Sequence, residues 1–282
     1  MLVVFGSNSF IGNNFVNYII KKRLEFLSIG EYDPVFFNLN FIKTDYSEEN
    51  LQEILDDKTI SEIYMIKSLV RRDVIDRNLY KKKNIEIYNN LINFLGDKKI
   101  KKNITVHLFS IIEYEKNSEV NDLYLNTKIE QEFIVKSLLE KKNFSINIHR
   151  IPTVVGPMDL NFSRLTPSYL AHKLFNHEFE IINPNLEREF LSMDSFIKEF
   201  YSRKYDKKYE EHLYGNEKIV KMTISEYTYY LDSYFNYFAY GEQLDESASK
   251  LKNFFKFVNW YVENKDVVKK NYNAWMNYSE VS

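Results

Sequence analysis

The sequence predicts an α/β fold in which helices cover a parallel β-sheet. The chain begins with a short apolar run, Leu2–Phe5, of the kind that forms a buried parallel strand. Gly6 closes this run, and the next apolar residues recur at the spacing of a helix that packs on a sheet: Phe15, Val16, Ile19 and Ile20. Strand, glycine turn and helix in this order indicate the start of a βαβ unit.

The turn between this strand and helix has the residues that a nucleotide-binding loop requires. Gly6 allows a tight turn, and Gly12 allows the helix to pack closely on the strand. The amides at the helix N-terminus would then point at a bound pyrophosphate. An ordinary strand–helix turn is the alternative, but the position of the motif directly after a strand favours nucleotide binding.

The rest of the chain continues the alternation of strands and helices. Further strands are predicted at residues 24–29, 63–66, 104–109, 144–150 and 219–223, and helices around 51–55, 85–95, 129–139 and 165–175. The tail, from about residue 231 to 275, is rich in aromatic residues at helical spacing. We expect these rings to form core rather than a ligand site.

The composition excludes several classes of function. The net charge of -2 gives no electrostatic footprint for nucleic acid or an anionic membrane. The chain has no cysteine, which excludes disulfides, thiolate catalysis and cysteine metal sites. No apolar run approaches the ~20 residues that span a bilayer. We expect a cytoplasmic protein without a metal, a membrane or a nucleic-acid partner.

One helical segment carries a pair of residues suited to acid–base catalysis. Tyr124 and Lys128 lie one turn apart, and a nearby cation lowers the pKa of a phenol that otherwise titrates near ~10. In a chain with 22 tyrosines, a surface Tyr–Lys pair is the alternative. Ser110, however, follows the predicted strand 104–109, at the strand end where open α/β sheets bind ligands. Ser110 is therefore expected near a bound ligand, and the surface Tyr–Lys pair stays open as the alternative.

These motifs resemble those of the extended short-chain dehydrogenase/reductases, which include nucleotide-sugar epimerases, dehydratases and reductases. Residues 6–12 (GSNSFIG) resemble the family's G-x-x-G-F-I-G start, with Ser9 in place of the middle glycine. The serine, tyrosine and lysine stand in the order of the family's catalytic set. Residues 150–157 resemble its R-x-x-x-x-x-G-P, and residues 188–194 resemble its R-D-F-x-x-V-D. The resemblance extends from residue 2 to about residue 194.

The resemblance implies a Rossmann-type doubly wound parallel sheet in residues 1–155 that binds NAD(P)H. Glu31 would accept the ribose hydroxyls, with a solvated loop glutamate as the alternative. Asp45 would approach the adenine or, alternatively, cap the following helix. The residues assigned to the cofactor are Gly6, Ser9, Phe10, Ile11, Gly12, Glu31, Asp45, Asn84, Lys128 and Pro152.

The resemblance also implies a smaller, mostly helical substrate-binding region in residues 156–282 that partly returns to the sheet. Arg188 matches the family arginine that holds the nucleotide diphosphate. Lys67, Arg71 and Arg72 are expected to face a diphosphate or a sugar, because arginine suits bidentate phosphate contacts. A solvated basic loop is the alternative for these three. A homodimer is expected.

The implied reaction is reduction of a keto group, at C4, of a nucleotide-activated deoxy sugar in surface polysaccharide biosynthesis. Tyr124 would donate a proton to the carbonyl, Ser110 would hydrogen-bond the developing oxyanion, and Lys128 would bind ribose and keep the phenol acidic. Dehydration is disfavoured, because Ile111 and Ile112 follow the serine where the dehydratases have Thr-Asp-Glu. The branch that epimerises carbons 3 and 5 uses a cysteine, which this chain lacks.

Two alternatives stay open at this point. A nucleotide-sugar 4-epimerase with tightly bound NAD uses the same three residues. A non-catalytic NAD(P)-binding sensor or scaffold is favoured by Ser9, by Lys67 and by the position of Glu31, one place late for a ribose acid. The sequence specifies neither the sugar and its nucleotide nor the choice between NAD and NADP.

Overall fold

The computed structural model describes residues 1–36, 40–68, 77–97, 103–111, 123–141, 143–215 and 218–279. The chain divides into two compact units. The first unit comprises Met1–Pro152 and Glu199–Tyr214, and the second comprises Thr153–Lys198 and Gly215–Ser282.

The first unit is built on a seven-stranded sheet whose paired strands are all parallel. The strands are β1 (Leu2–Phe5), β2 (Phe26–Gly30), β3 (Phe41–Lys43), β4 (Glu62–Met65), β5 (Ile104–Ile111), β6 (Phe144–Ile151) and β9 (Tyr209–Leu213). Their order across the sheet is β3-β2-β1-β4-β5-β6-β9. The strand order reverses between β1 and β4, which is where such sheets bind ligands. The predicted Rossmann-type doubly wound sheet is confirmed.

Helices connect these strands. They are α1 (Phe10–Lys21), α2 (Glu48–Leu55), α3 (Arg77–Lys81), α4 (Ile87–Asp97) and α5 (Leu123–Lys136), and a π-helical turn (Lys82–Glu86) joins α3 to α4. Val3, Ile63 and Val106, in three adjacent strands, have no exposed surface. A strand buried on both faces reads as a continuous apolar run, which is why the sequence revealed these strands.

The second strand begins later than the sequence predicts, at Phe26 instead of residue 24. Helix α1 ends in a turn in which Arg23 adopts a left-handed φ of 55°. The Leu24 amide donates to the Ile19 carbonyl at 3.3 Å, so Leu24 belongs to this turn. The Leu24 side chain is exposed, so this apolar residue precedes the strand in the sequence but does not belong to it.

The second unit combines a small sheet with a helical, aromatic core. Strands β7 (Thr153–Val155), β8 (Glu187–Ser192) and β10 (Val220–Thr223) form a three-stranded sheet in the order β10-β8-β7. The helices are α6 (Leu165–Leu174), α7 (Met193–Ser202, which leads back into the first unit), α8 (Ile224–Tyr240), α9 (Glu246–Lys250), α10 (Lys252–Phe255), α11 (Val258–Glu263) and α12 (Lys265–Ser279). Tyr234, Phe255, Tyr261 and Tyr272 are buried in the core, which confirms the predicted role of the aromatic tail.

Within the described ranges, no helix combines the length and the apolar character needed to cross a membrane. The same residues contain no group of three or more His, Cys, Asp or Glu side chains arranged to hold a metal ion.

Candidate active site

The loop after β1 requires glycine at both predicted positions. Gly6 has a left-handed φ of +80°, and a Cβ there would lie 2.6 Å from the backbone nitrogen of Lys67. A Cβ on Gly12 would overlap the carbonyl oxygen of Gly6 and lie 2.8 Å from Cα of Ser7. The tight turn and the close approach of α1 to β1, which the sequence predicts from these glycines, are therefore both present.

Ser9, which replaces the middle glycine of the motif, caps helix α1. Its backbone is extended (φ -79°, ψ 168°), so the position does not need glycine. Its Oγ accepts a hydrogen bond from the Gly12 amide at 3.1 Å. One helix N-terminal amide is thus satisfied internally, while the Ser9 hydroxyl proton stays available for a phosphate oxygen. Phe10 and Ile11 form the first turn of the helix.

Glu31, the residue after β2, is held by two lysines. Lys67 Nζ lies 3.0 Å from one carboxylate oxygen, and Lys83 Nζ is hydrogen-bonded to the other. The three side chains are between 16% and 20% exposed, so the cluster is partly desolvated. Burial lowers the pKa of Lys67 to about 8 and also lowers the pKa of Lys83. No local pattern in the sequence indicates Lys83, because it is 52 residues from Glu31 in the chain.

Asp45 is placed before α2 without capping it. The N-cap is Ser47, whose side chain accepts from the Asn50 amide. Asp45 instead accepts from the Ser47 amide at 2.9 Å and from the Asn50 side chain at 2.8 Å. The interpretation of Asp45 as the N-cap is therefore wrong, because the helix begins two residues later than that interpretation needs. The adenine contact stays a prediction.

Ser110 is the penultimate residue of β5 and begins a buried network of charged groups. Its Oγ donates to Glu132 Oε1 at 2.6 Å. The other oxygen of Glu132 accepts from Arg150 Nη2 at 3.0 Å, and Arg150 also donates to Glu211 at 2.9 Å. The Glu132 and Arg150 side chains are only 5% and 4% exposed. Because buried charges need partners, this network fixes the Ser110 hydroxyl at the strand end.

Tyr124 and Lys128 are both buried on α5, one turn apart. The Lys128 ammonium lies 5.8 Å from the centre of the Tyr124 ring and donates to the Phe109 carbonyl at 3.0 Å. That carbonyl precedes Ser110 in β5, so the Lys128 side chain links helix α5, which carries Tyr124, to the strand that carries Ser110. Burial lowers the pKa of Lys128 to about 8, and the nearby charge of Glu132 opposes this shift.

Asn84 fixes the helix that carries the tyrosine and the lysine. It is wholly buried in the π-helical turn, a kind of turn frequent at functional sites. Its amide nitrogen donates to Thr127 Oγ1 at 3.2 Å, and its carbonyl accepts from Gln131 at 2.8 Å. Thr127 in turn donates to the Tyr124 carbonyl at 2.9 Å. Asn84 thereby joins the π-helical turn to α5, and its contact with the cofactor stays a prediction.

The other predicted site residues are more dispersed. Pro152 lies between β6 and β7, at the end of the first unit's first segment. Arg188 lies in β8 of the second unit, opposite Met222 of β10. Arg71 and Arg72 lie outside the described residues. The cofactor contact of Pro152 and the substrate contacts of Arg71, Arg72 and Arg188 stay predictions.

Comparison with known protein families decides the class. The sequence model of the NAD dependent epimerase/dehydratase family matches residues 2–198. The chain belongs to this family. Its cofactor is a nicotinamide dinucleotide, and it is an NAD(P)-dependent oxidoreductase or epimerase. A search of curated proteins finds no significant match.

Solved structures of similar fold include enzymes of nucleotide sugars. A double mutant of the dTDP-glucose 4,6-dehydratase DesIV from Streptomyces venezuelae is 15% identical, with a TM-score of 0.77 over 96% of this chain and 99% of that one. The Bordetella bronchiseptica enzyme WbmF, in complex with NAD+, is 14% identical, with a TM-score of 0.76 over 98% and 97%. The UDP-N-acetylglucosamine 4-epimerase of Methanobrevibacter ruminantium M1 is 19% identical, with a TM-score of 0.71 over 93% and 96%. At these identities the similarity concerns the fold.

The first unit fits the family's cofactor. The two glycines leave space that a Cβ would fill, at the N-terminus of α1 and beside the reversal in strand order. Gly6, Ser9 and Gly12 would hold the pyrophosphate, and Glu31, with its two lysines, stands where the fold places the adenosine ribose.

Proposed function

We propose that this enzyme reduces the C4 keto group of a nucleotide-activated deoxy sugar. The proposal depends chiefly on the buried ammonium of Lys128, which lies 5.8 Å from the centre of the Tyr124 ring and donates to the carbonyl of Phe109, the residue before Ser110. A cation in that place favours the phenolate over the phenol, which makes Tyr124 a better proton donor.

The three residues divide the work of protonating a ketone. The bound cofactor supplies the hydride. Tyr124 gives its proton to the carbonyl oxygen, and Lys128 stabilises the phenolate that is left. The single proton of Ser110 goes to Glu132 in the structure, so donation to a substrate oxygen requires the hydroxyl to rotate away from Glu132.

Dehydration is the less favoured reaction for this site. Eliminating water needs a further acid and base beside the sugar. Ser110 is followed here by Ile111, an apolar residue that closes β5. The structural similarity to a 4,6-dehydratase is a similarity of fold, and it does not indicate that the two proteins share the side chains that dehydration needs.

Epimerisation at C4 is the second candidate, because it needs the same serine, tyrosine and lysine. Two structural relatives are UDP-sugar 4-epimerases, one crystallised with UDP-glucose and the other with UDP-N-acetylmuramic acid. They also support a nucleotide diphosphate sugar as the substrate class.

A turnover screen separates the candidates. The protein is mixed with nucleotide 4-keto-6-deoxy sugars and NADH or NADPH, and with UDP-hexoses alone, while reduced nicotinamide is followed by absorbance and product stereochemistry by NMR. A reductase oxidises one cofactor per sugar; an epimerase interconverts 4-epimers without net oxidation. Tyr124→Phe is the control in both assays. If the wild type does neither, the proposal fails and a cofactor-binding sensor or scaffold takes its place.

The role of Arg188 in holding the nucleotide diphosphate has its own test. Losing a charge-assisted contact costs roughly 1.5–3 kcal/mol, so Arg188→Ala should raise KM for the nucleotide sugar by about tenfold or more. Cofactor affinity should not change. An unaltered KM would exclude Arg188 from the substrate site.

A further inference from the structure

We infer that Lys67 and Lys83 form a binding site for the adenosine 2′-phosphate of NADP, so that this enzyme prefers NADP(H) to NAD(H). The acidic residue after β2 favours NAD in Rossmann folds when its carboxylate is free to accept the ribose hydroxyls. Here each carboxylate oxygen of Glu31 is already bonded to a lysine ammonium.

The charge of this cluster has the sign that suits a phosphate. Two ammonium groups and one carboxylate leave one net positive charge at the end of β2. The next carboxylate along the chain, Asp33, is paired with Lys43 at 2.9 Å and adds no net charge. A dianionic 2′-phosphate can therefore replace Glu31 as the partner of both lysines.

The backbone fixes the lysines beside the cofactor loop. The Lys67 amide donates to the Phe5 carbonyl at 3.1 Å, and the Lys67 carbonyl accepts from the Tyr88 hydroxyl at 2.8 Å. Its side chain thus starts next to Gly6 and ends at Glu31. Lys83 comes from the π-helical turn, directly before Asn84. The two ammonium groups approach one point from different elements, unlike a solvated basic loop.

Because the cluster is partly buried, its net charge should favour a ligand with a 2′-phosphate over one with ribose hydroxyls alone. Ribose hydroxyls alone would leave the net positive charge of a partly desolvated site without a counterion, whereas a phosphate neutralises it. The 2′-phosphate is dianionic only above its second pKa of about 6, and burial lowers the pKa of Lys67 to about 8, so affinity for the 2′-phosphate should be highest between these values and fall as pH rises through about 8. The other titratable groups described around this end of β2 are Glu31, Asp33, Lys43 and Lys83, the Tyr32 hydroxyl at 3.4 Å from Lys83 Nζ, and the exposed carboxylate of Asp45, two residues after β3.

Calorimetry with adenosine phosphates tests the site without turnover. We expect the whole chain to bind 2′,5′-ADP at least about tenfold more tightly than 5′-AMP, because the ligands differ only in the 2′-phosphate. NADP+ should likewise bind more tightly than NAD+. Equal affinities in both comparisons would overturn the inference and leave Glu31 and its lysines as an ion-pair cluster, whatever reaction the enzyme catalyses.

Variants identify the residues. Lys83→Met should weaken 2′,5′-ADP binding about tenfold and leave 5′-AMP binding within about twofold. Lys82→Met is the matched control, since Lys82 is an exposed lysine in the same turn. Glu31→Gln should strengthen 2′,5′-ADP binding, because it removes the competing anion. Lys83→Arg keeps the charge and should keep the preference. A loss in Lys83→Met no larger than in Lys82→Met would refute the assignment.

Discussion

Replacing Glu132, a buried and charged partner of Ser110, should lower the unfolding free energy and shift the pH dependence of catalysis to lower pH. Glu132 accepts from Ser110 at 2.6 Å and from Arg150 at 3.0 Å. Removing one partner of a buried ion pair costs about 3–5 kcal/mol. Since Arg150 keeps its contact with Glu211, we expect the lower value for Glu132→Ala, about 3 kcal/mol of unfolding free energy.

Glu132→Gln isolates the charge from the shape. The amide oxygen can still accept one of these hydrogen bonds, so we expect a loss of only about 1–2 kcal/mol. The negative charge of Glu132 raises the pKa of Lys128 against the effect of burial, which holds it at about 8. Without that charge the pKa falls further. Catalysis that needs the Lys128 cation should then be lost at a lower pH than in the wild type.

Urea denaturation measures the loss of unfolding free energy in each Glu132 variant. The pH profile of kcat measures the shift in the pKa of Lys128. Glu211→Gln is the matched control, because Glu211 pairs with Arg150 but is 37% exposed and lies at the outer end of the network. Glu211→Gln should lower the unfolding free energy less than Glu132→Gln does, and it should not shift the alkaline limb of the pH profile of kcat. An alkaline limb that does not move in Glu132→Gln would refute the electrostatic link between Glu132 and Lys128.

Three further predictions concern the remaining parts of the first unit. Tyr124→Phe should lower turnover by roughly 10²–10⁴-fold while calorimetry shows unchanged cofactor binding; near-wild-type turnover would exclude it as the proton donor. Gly12→Ala places a Cβ into the turn and should abolish cofactor binding, whereas Gly96→Ala, whose nearest contact would be 3.7 Å, should not. Burial holds the pKa of His149 well below its usual range, so this residue is neutral when folded and protonates below about 6.5 when unfolded. Stability should therefore fall as pH drops below about 6.5, and less so in His149→Gln; urea midpoints across pH that do not fall would contradict this.

Local patterns in the sequence were sufficient for five of the seven strands of the large sheet and for the cofactor loop. The two edge strands, β3 and β9, were not predicted, because β3 has only three residues and β9 carries charged residues. A strand buried on both faces is a run of apolar residues, and a tight turn before a helix needs glycine, so each signal lies within a few neighbouring residues. Where the apolar run continued into a turn, as at Leu24, the strand boundary was placed too early. The Asp45 interpretation failed for a similar reason, because Asp and Ser are both common helix caps and Ser47 stood two residues further on.

The partners of the predicted catalytic residues depend on contacts between distant parts of the chain. The Glu132–Arg150 contact joins residues 18 apart, and the Arg150–Glu211 contact joins residues 61 apart. In a chain with 28% charged residues, such side chains resemble a solvated surface. One signal was present: Glu132 follows Tyr124 and Lys128 at another interval of four, so the three share one face of α5, and all three are buried.

The charge at the cofactor ribose shows most clearly why a site cannot be assigned from one residue. The sequence around Glu31 indicates an acidic position that favours NAD. Lys67 and Lys83, 36 and 52 residues away, reach the same carboxylate from two other elements and reverse the sign of the local charge. The electrostatic preference of a ligand site is the sum of the Coulomb interactions of the ligand with every charged group that the fold brings within a few ångströms. These interactions depend on distance and on desolvation, and not on the position of a residue in the sequence. On the inference made above, cofactor choice follows from tertiary structure rather than from the residue after β2, and the affinities for 2′,5′-ADP and 5′-AMP test it.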